Sequence, residues 1–361
     1  MKVITTIPPY APYLEELAVH PLLEAVRLNT VMPTKGKLKD LLLSLKATFG
    51  EKPIWVDLKC RQIRVSYGMS FKAPDAPKKY VIDGKDYIAD PSTPRSRGRA
   101  VAPPWAYIKI DRKIKLDFTH GPIKCWFNDG TDCAQLVEIN NGDELIMLDG
   151  PKTLIGGGMS INIVHPSLEI EGFFTARDLE YIEAAKEADM HHYMLSFVES
   201  EDDINQLLKL DPQAIIAAKI ESHKGVDFVK EFHSNVKKYE GTTSRLPSWL
   251  GGKKSAKTTW DNVRLMTARG DLYNELAMRR AEKILAPMSK IIQADPHAIL
   301  ASRVFNSLVS SPRPSCSDVT DIAYCLSIGY KTFMIGDDIC FGIDKLMLAL
   351  DILGALEKEL A

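Results

Sequence analysis

Ala218-Lys219-Ile220-Glu221 and Ala268-Arg269-Gly270-Asp271 are the two stretches that decide how this chain is read. Each closes a short strand-like run, Ala214-Ile215-Ile216-Ala217 before the first and Val263-Arg264-Leu265-Met266 before the second. A lysine and two carboxylates therefore sit at the ends of two β-strands. Strand ends that face the same way are where a parallel barrel places its chemistry. Glu221 and Asp271 are candidates to hold a hard divalent cation, which prefers oxygen ligands. Lys219 would stand beside it as an acid, a base or a phosphate contact. The plainer alternative is that all three are surface residues at the starts of loops.

Working outward, strand and helix patterns alternate. Val3 to Ile7, Ala25 to Asn29 and Pro53 to Leu58 read as strands, with helical patterns over Leu14 to Leu23 and Lys37 to Ala47. Between about Arg64 and Val164 the rhythm changes to short β-like runs, among them Tyr80-Val81-Ile82, Ala106 to Ile110, Ile123 to Phe127 and Glu144 to Leu148. Turn signals such as Asn128-Asp129-Gly130 and Asp149-Gly150 separate them. The Pro-, Ser- and Arg-rich piece from Asp90 to Arg99 reads as a mobile loop.

The alternation then resumes. Strands are expected at Tyr193 to Val198, Ala214 to Ile220, Arg264 to Ala268, Ala298 to Ala301 and Thr332 to Ile335. Helices are expected at Thr175 to Ala188, Asp202 to Leu208, Val226 to Lys238, Glu275 to Gln293, Asp318 to Ser327 and Asp344 to Leu360. Eight strands, each with a helix after it, predict an α/β protein: a (β/α)₈ TIM barrel with a small all-β domain inserted after strand 3. The barrel is expected over 1–65 and 161–361 and the insert over 66–160. An open doubly wound sheet is the alternative, but no G-x-G-x-x-G follows the first strand. Tyr239 to Trp260 is polar and Gly/Pro-broken. It reads as a solvated loop on the face opposite the chemistry, with a partner-binding loop as the sharper alternative.

Composition narrows the functional classes. The chain has 361 residues, 45% apolar and 26% charged, with a formal net charge of −1. No global field recruits nucleic acid or an anionic membrane, and no apolar run has the length of a membrane span. The N-terminal Met1 to Ile7 is cut short by Pro8-Pro9 and does not resemble a signal peptide. Six scattered cysteines without a C-x-x-C suggest reduced thiols in a cytoplasmic setting.

A series of segments, in order, resembles the pyruvate kinase family. Thr6-Ile7-Pro8-Pro9 is similar to its T-I-G-P, and Ala25-Val26-Arg27-Leu28-Asn29 to A-R-L-N-F-S-H. Asp57 to Arg64 resembles D-T-K-G-P-E-I-R, and Phe127-Asn128-Asp129-Gly130 resembles V-D-D-G in the inserted domain. Ser196-Phe197-Val198 is similar to S-F-V-R, and Lys219 to Gly225 to K-I-E-N-x-E-G. Ala268-Arg269-Gly270-Asp271-Leu272 with Glu275 resembles A-R-G-D-L-G-V-E, and Pro312-Arg313-Pro314 with Asp321 and Ala323 follows P-R-P-T-R-A-E-x-S-D-V-A.

The resemblance implies a phosphotransferase of glycolysis acting on phosphoenolpyruvate and ADP, with pyruvate and ATP as the other pair. It implies Mg²⁺ or Mn²⁺ on Glu221 and Asp271, and a catalytic Lys219 that touches the transferring phosphoryl or stabilises the enolate. Gly270 and Asp271 would offer helix-opening amides to a carboxylate. Ser302 stands where the family has a threonine and keeps the hydroxyl, and Arg27 and Arg64 would grip phosphate or carboxylate. The alternative for Arg27 is a salt bridge inside the barrel mouth. The family's C-terminal allosteric domain is expected to be absent, since the chain stops one helix after the last barrel strand. A homodimer is the assembly considered.

The departures gather on one side. Of four residues that would hold the family's monovalent cation, Asn29 and Asp57 remain while Val31 and Leu58 replace hydroxyls, which puts K⁺ activation in doubt. Gly157-Gly158-Met159-Ser160-Ile161-Asn162 aligns with S-K-K-G-V-N and lacks both lysines, and Gly336-Asp337-Asp338-Ile339 replaces S-G-E-T. Lys35, Lys59 or Arg61 would have to supply the missing nucleotide contacts. Two further expectations follow: a metal-dependent lyase, aldolase or decarboxylase on a pyruvate-related acid with no kinase step, or a non-catalytic metabolite-binding protein on the same frame.

Overall fold

The computed structural model describes residues 1–70, 78–82, 84–89, 106–240, 259–276 and 280–359. The Asp90 to Arg99 segment and nearly all of the Tyr239 to Trp260 segment lie outside the described residues. The chain divides into two compact units, Met1–Cys60 with Ala176–Ala361, and Arg61–Thr175.

The first unit is a closed barrel of eight parallel strands. In chain order they are Lys2–Ile7, Leu23–Asn29, Ile54–Leu58, His192–Leu195, Ile215–Ile220, Val263–Ala268, Ile299–Ala301 and Thr332–Ile335. Each pairs with its neighbour in sequence, and the last closes onto the first with Lys2 opposite Thr332 and Thr5 opposite Ile335. Helices that include Leu38–Phe49, Ala176–Glu187, Glu201–Leu210, His223–Glu240, Cys316–Ser327 and Ile343–Glu359 connect the strands.

The interior follows from the period of two along a strand. Ile4, Ala25, Trp55, Met194, Ala217, Met266, Ile299 and Met334, one from each strand, pack with Ala301 into a single buried cluster. These residues fill the barrel as a solid plug rather than leaving a pore. Two positions further along five of these strands stand Thr6, Arg27, Asp57, Ser196 and Lys219. The same alternation therefore sets a layer of polar side chains directly above an apolar floor.

Two expected elements differ. The strand expected to reach Val198 ends at Leu195, because Phe197 takes a left-handed backbone (φ 51°) and turns the chain. The long helix expected from Glu275 to Gln293 is two helices, Arg269–Leu276 and Leu285–Ala294, with a 3₁₀ turn over Ala281–Ile284. Pro287 explains the break. It has no N–H to give, so it fits only the first turn of a helix and marks a new start.

The second unit is built on a six-stranded antiparallel sheet, with two-stranded ribbons beside it in sequence. Its spatial order is Ile161–Ile163, Ile123–Phe127, Asp132–Asn140, Glu144–Leu148, Ala106–Ile110 and Val65–Ser70. Alternate residues of these strands, such as Ile108, Ile110, Cys125, Phe127, Leu145 and Met147, form its own core. The Asn128-Asp129-Gly130 turn is a 3₁₀ segment in which Asn128 (φ 50°) and Gly130 (φ 86°) are left-handed, as a tight reversal requires. Among the described residues no helix is long and apolar enough to cross a membrane.

Candidate active site

Lys219 is the penultimate residue of the fifth barrel strand and Glu221 the first residue beyond it. Both are buried, with Glu221 1% exposed. Lys219 Nζ lies 3.1 Å from Glu221 Oε1, donates to Ser196 Oγ at 2.8 Å and lies 3.4 Å from Asp57 Oδ1. The other oxygen of Glu221 accepts the backbone N–H of Phe197 at 2.8 Å. The left-handed turn at Phe197 thus aims an amide at the carboxylate.

Asp57 is the hub. It is 0% exposed, and its Oδ2 accepts from Arg27 Nε at 3.0 Å, Arg27 Nη2 at 2.5 Å and Lys59 Nζ at 2.9 Å. Burial alone would raise its pKa. Three cations, Arg27, Lys219 and Lys59, outweigh that and hold the carboxyl well below the usual range. Arg27 Nη1 donates to Thr6 Oγ1 at 2.8 Å and to Asp337 Oδ2 at 3.0 Å, and Asn29 Nδ2 donates to Asp337 Oδ1 at 3.0 Å. The guanidinium is therefore held by two carboxylates and the Thr6 hydroxyl inside the barrel mouth.

The remaining electrostatics set the two ends of the site apart. Burial works against the charge on Lys219, but Asp57 and Glu221 overcome it and push its pKa up to about 12. Glu221 moves up to about 7: burial dominates, the Lys219 ammonium opposes it, and Asp271 adds a like charge. Asp271 lies in the first turn of the helix Arg269–Leu276, four residues past Thr267, which pairs with Ile220 across adjacent strands. A second carboxylate is thereby brought close enough to repel Glu221.

Ser302 and Gly270 come together. A Cβ on Gly270 would lie 3.5 Å from Ser302 Oγ, so the hydroxyl rests against the opening of the Arg269–Leu276 helix. The amides of Gly270 and Asp271 belong to the first turn, whose N–H groups have no intrahelical acceptor. Ser302 (φ 66°) and Arg303 (φ 57°) both adopt left-handed backbones. Such strain persists only where surrounding contacts impose it. Here Arg269 does so, donating to the carbonyls of Ser302 and Arg303 while gripping both oxygens of Asp321 at 2.8 Å.

Other expected residues fall elsewhere. Arg64 belongs to the second unit, where its guanidinium donates to the Gly158 carbonyl and, at 2.6 Å, to Gln62 Oε1. Lys59, expected to help with nucleotide, is turned onto Asp57. Lys35 packs over the Tyr10 ring, and Arg61 stacks on Phe173 in the second unit.

Glu221 and Asp271 are the residues of this centre that could hold a divalent cation. Glu221 and Asp271 are two oxygen donors whose mutual repulsion a divalent charge would relieve, and two protein carboxylates leave coordination positions for substrate and water. Among the described residues no group of three or more His, Cys, Asp and Glu side chains is arranged to enclose a metal. Asn29 and Asp57, by contrast, are already engaged: Asp57 by three cationic side chains, and Asn29 by Asp337 and the N–H of Val31.

Sequence reasoning did not single out Thr6, Ser196 or Asp337 as site residues. For Thr6 and Ser196 the signal was available: each lies two positions beyond a residue of the apolar plug. Asp337 gave no such signal, because it follows the last strand in a short helix, Asp337–Cys340.

These features define a (β/α)₈ barrel protein with a buried lysine–carboxylate centre at its strand ends. No protein-family model matches the chain. It is similar to the pyruvate kinase of Methanocaldococcus jannaschii, 25% identical over 247 residues, covering 65% of this chain and 48% of that protein. It is also similar to that of Thermotoga maritima, 23% identical over 248 residues and covering 62% and 47%. That of Borreliella burgdorferi is 24% identical over 212 residues, covering 55% and 38%. The chain spans about half the length of the curated relatives it matches. Over that span the chain resembles pyruvate kinases at low identity.

Proposed function

We propose that this chain is a phosphotransferase that moves the phosphoryl group between phosphoenolpyruvate and ADP, with pyruvate as the dephosphorylated product and Mg²⁺ or Mn²⁺ as the metal. What supports it most is the pairing of Lys219 with Glu221, with Asp271 in reach, above an apolar floor. Glu221 and Asp271 would hold the cation, which when bound neutralises charge on the substrate's carboxylate and enol oxygen. The Lys219 ammonium, kept charged by Asp57 and Glu221, is a fixed positive charge facing developing anionic charge. The Ser302 hydroxyl and the amides of Gly270 and Asp271 would orient the three-carbon acid. Asp57 holds Lys219, Arg27 and Lys59 in place and takes the position of a monovalent-ion ligand out of use. The activity is therefore expected to be indifferent to K⁺.

A coupled assay with phosphoenolpyruvate, ADP and Mg²⁺, with and without K⁺, tests this. Turnover that falls by two to four orders of magnitude in Lys219→Met and Asp271→Asn is the expected result, the usual scale for a charge or proton-transfer group. Equal activity in those variants would refute the site.

A second reading is favoured by one observation: Arg27, the group that would receive phosphate, already carries Asp57 and Asp337. On that reading the metal-bound enolate chemistry is kept and the kinase step lost, giving a lyase, aldolase or decarboxylase on a pyruvate-related acid. Metal-dependent deuterium exchange into pyruvate, with phosphoenolpyruvate inert, would establish it.

A further inference from the structure

Asp337 is held in the manner of a bound anion. One carboxylate oxygen accepts from Arg27 Nη1 at 3.0 Å and the other from Asn29 Nδ2 at 3.0 Å. Arg27 and Asn29 lie on the second barrel strand, and Asp337 comes from beyond the eighth, more than 300 residues away in sequence. A guanidinium edge beside an amide N–H₂, both anchored on a strand, is a donor arrangement suited to a small oxyanion. Most of the remaining guanidinium is already committed. Its Nε and one N–H of Nη2 go to Asp57, and Nη1 also serves Thr6, so Nη1 is the donor that stands beside Asn29. Asp337 itself is not locked in the core, since its side chain is one-third exposed.

We propose that Asp337 is a specificity-determining residue: its carboxylate occupies the oxyanion seat formed by Arg27 and Asn29 and competes with phosphate for it. Two costs fall on a phosphoryl-bearing ligand. If Asp337 stays, a dianion is placed beside a carboxylate in a partly buried site, where like charges repel strongly. If Asp337 leaves, one charge-assisted hydrogen bond and one amide hydrogen bond are broken first. A non-phosphorylated 2-oxo acid, anchored at the Glu221, Asp271 and Gly270 end, meets neither cost. The seat therefore tilts the site toward pyruvate-like ligands. This rests on and deepens the second reading of the site, in which the kinase step is lost, and its readout is binding rather than turnover.

The test measures inorganic phosphate and pyruvate binding by calorimetry on the full chain, as wild type, Asp337→Asn and Asp337→Ser, with circular dichroism checking that each is folded. Asp337→Asn keeps the shape and removes the charge; Asp337→Ser empties the seat. At least tenfold tighter phosphate binding in both, with pyruvate affinity within twofold of wild type, is expected. The gain should vanish when Arg27→Met is added. Unchanged or weaker phosphate binding in either folded variant overturns the proposal, as does an equal gain for pyruvate. A phosphate gain in a protein that turns over no phosphoenolpyruvate supports the proposal while refuting the kinase reading, so the two fail separately.

Discussion

Arg269 Nε donates to the carbonyl oxygen of Ser302 at 3.1 Å, tying the end of the sixth barrel strand to the loop after the seventh. The same side chain spans the Arg303 carbonyl and Asp321, so one guanidinium holds two consecutive left-handed residues and the helix Cys316–Ser327. Arg269→Met should lower stability by about 2–3 kcal/mol, less than a fully buried pair would cost because Asp321 is one-third exposed. Urea denaturation measures it. Arg269→Lys should recover little, since an ammonium cannot reach both carbonyls and the carboxylate at once.

Mg²⁺ or Mn²⁺ should raise the melting temperature, by an amount that grows with the logarithm of its concentration above the dissociation constant. At a hundredfold excess over its dissociation constant the cation adds about 2.7 kcal/mol to the folded state. Glu221→Gln and Asp271→Asn should each abolish the shift in differential scanning fluorimetry. A shift of equal size in both variants would place the cation elsewhere.

His192 should make the barrel acid-sensitive. Its ring lies edge-on to Trp55, with centroids 5.0 Å apart. Burial, with a smaller push from His191, lowers its pKa from the ordinary 6.5 to about 4. His191 itself faces Asp211 and Asp189. A depressed folded-state pKa means stability that is present above pH 6.5 and lost as the pH falls toward 4, by at most about 3 kcal/mol. Chemical denaturation between pH 7 and 4 should show a steeper decline in wild type than in His192→Gln.

Gly225 should not tolerate a side chain. A Cβ there would come within 2.9 Å of the Val198 carbonyl oxygen, a backbone atom that cannot swing away. Gly225→Ala should cost about 1–3 kcal/mol despite alanine's better helix propensity, as overpacking does elsewhere. A neutral or stabilising effect in thermal unfolding would show that the His223–Glu240 helix is free to shift.

The barrel was legible because its signal is local. Parallel strands buried on both sides read as short apolar runs, and helices between them supply the alternation. Boundaries failed where a single residue overrode the pattern, as Phe197 and Pro287 do. The charges of the centre were legible in part. Lys219, Glu221 and Asp271 stand out as polar residues at the ends of apolar strands. Their partners were harder, because hydrogen bonding in a closed ring depends on which strands touch. Nothing near Arg27 in sequence announces Asp337, and nothing near Asp57 announces that Lys59 folds back on it.

Ring closure also fixes an order of events. On the ribosome, Arg27 and Asn29 emerge more than 300 residues before Asp337. Arg27 meets its first counter-charge in Asp57, thirty residues on, and its second only once Asp337 has followed the eighth strand. The ion pairs among Arg27, Asp57 and Lys59 can thus form early, and the Asp337 contact completes the centre's charge balance last.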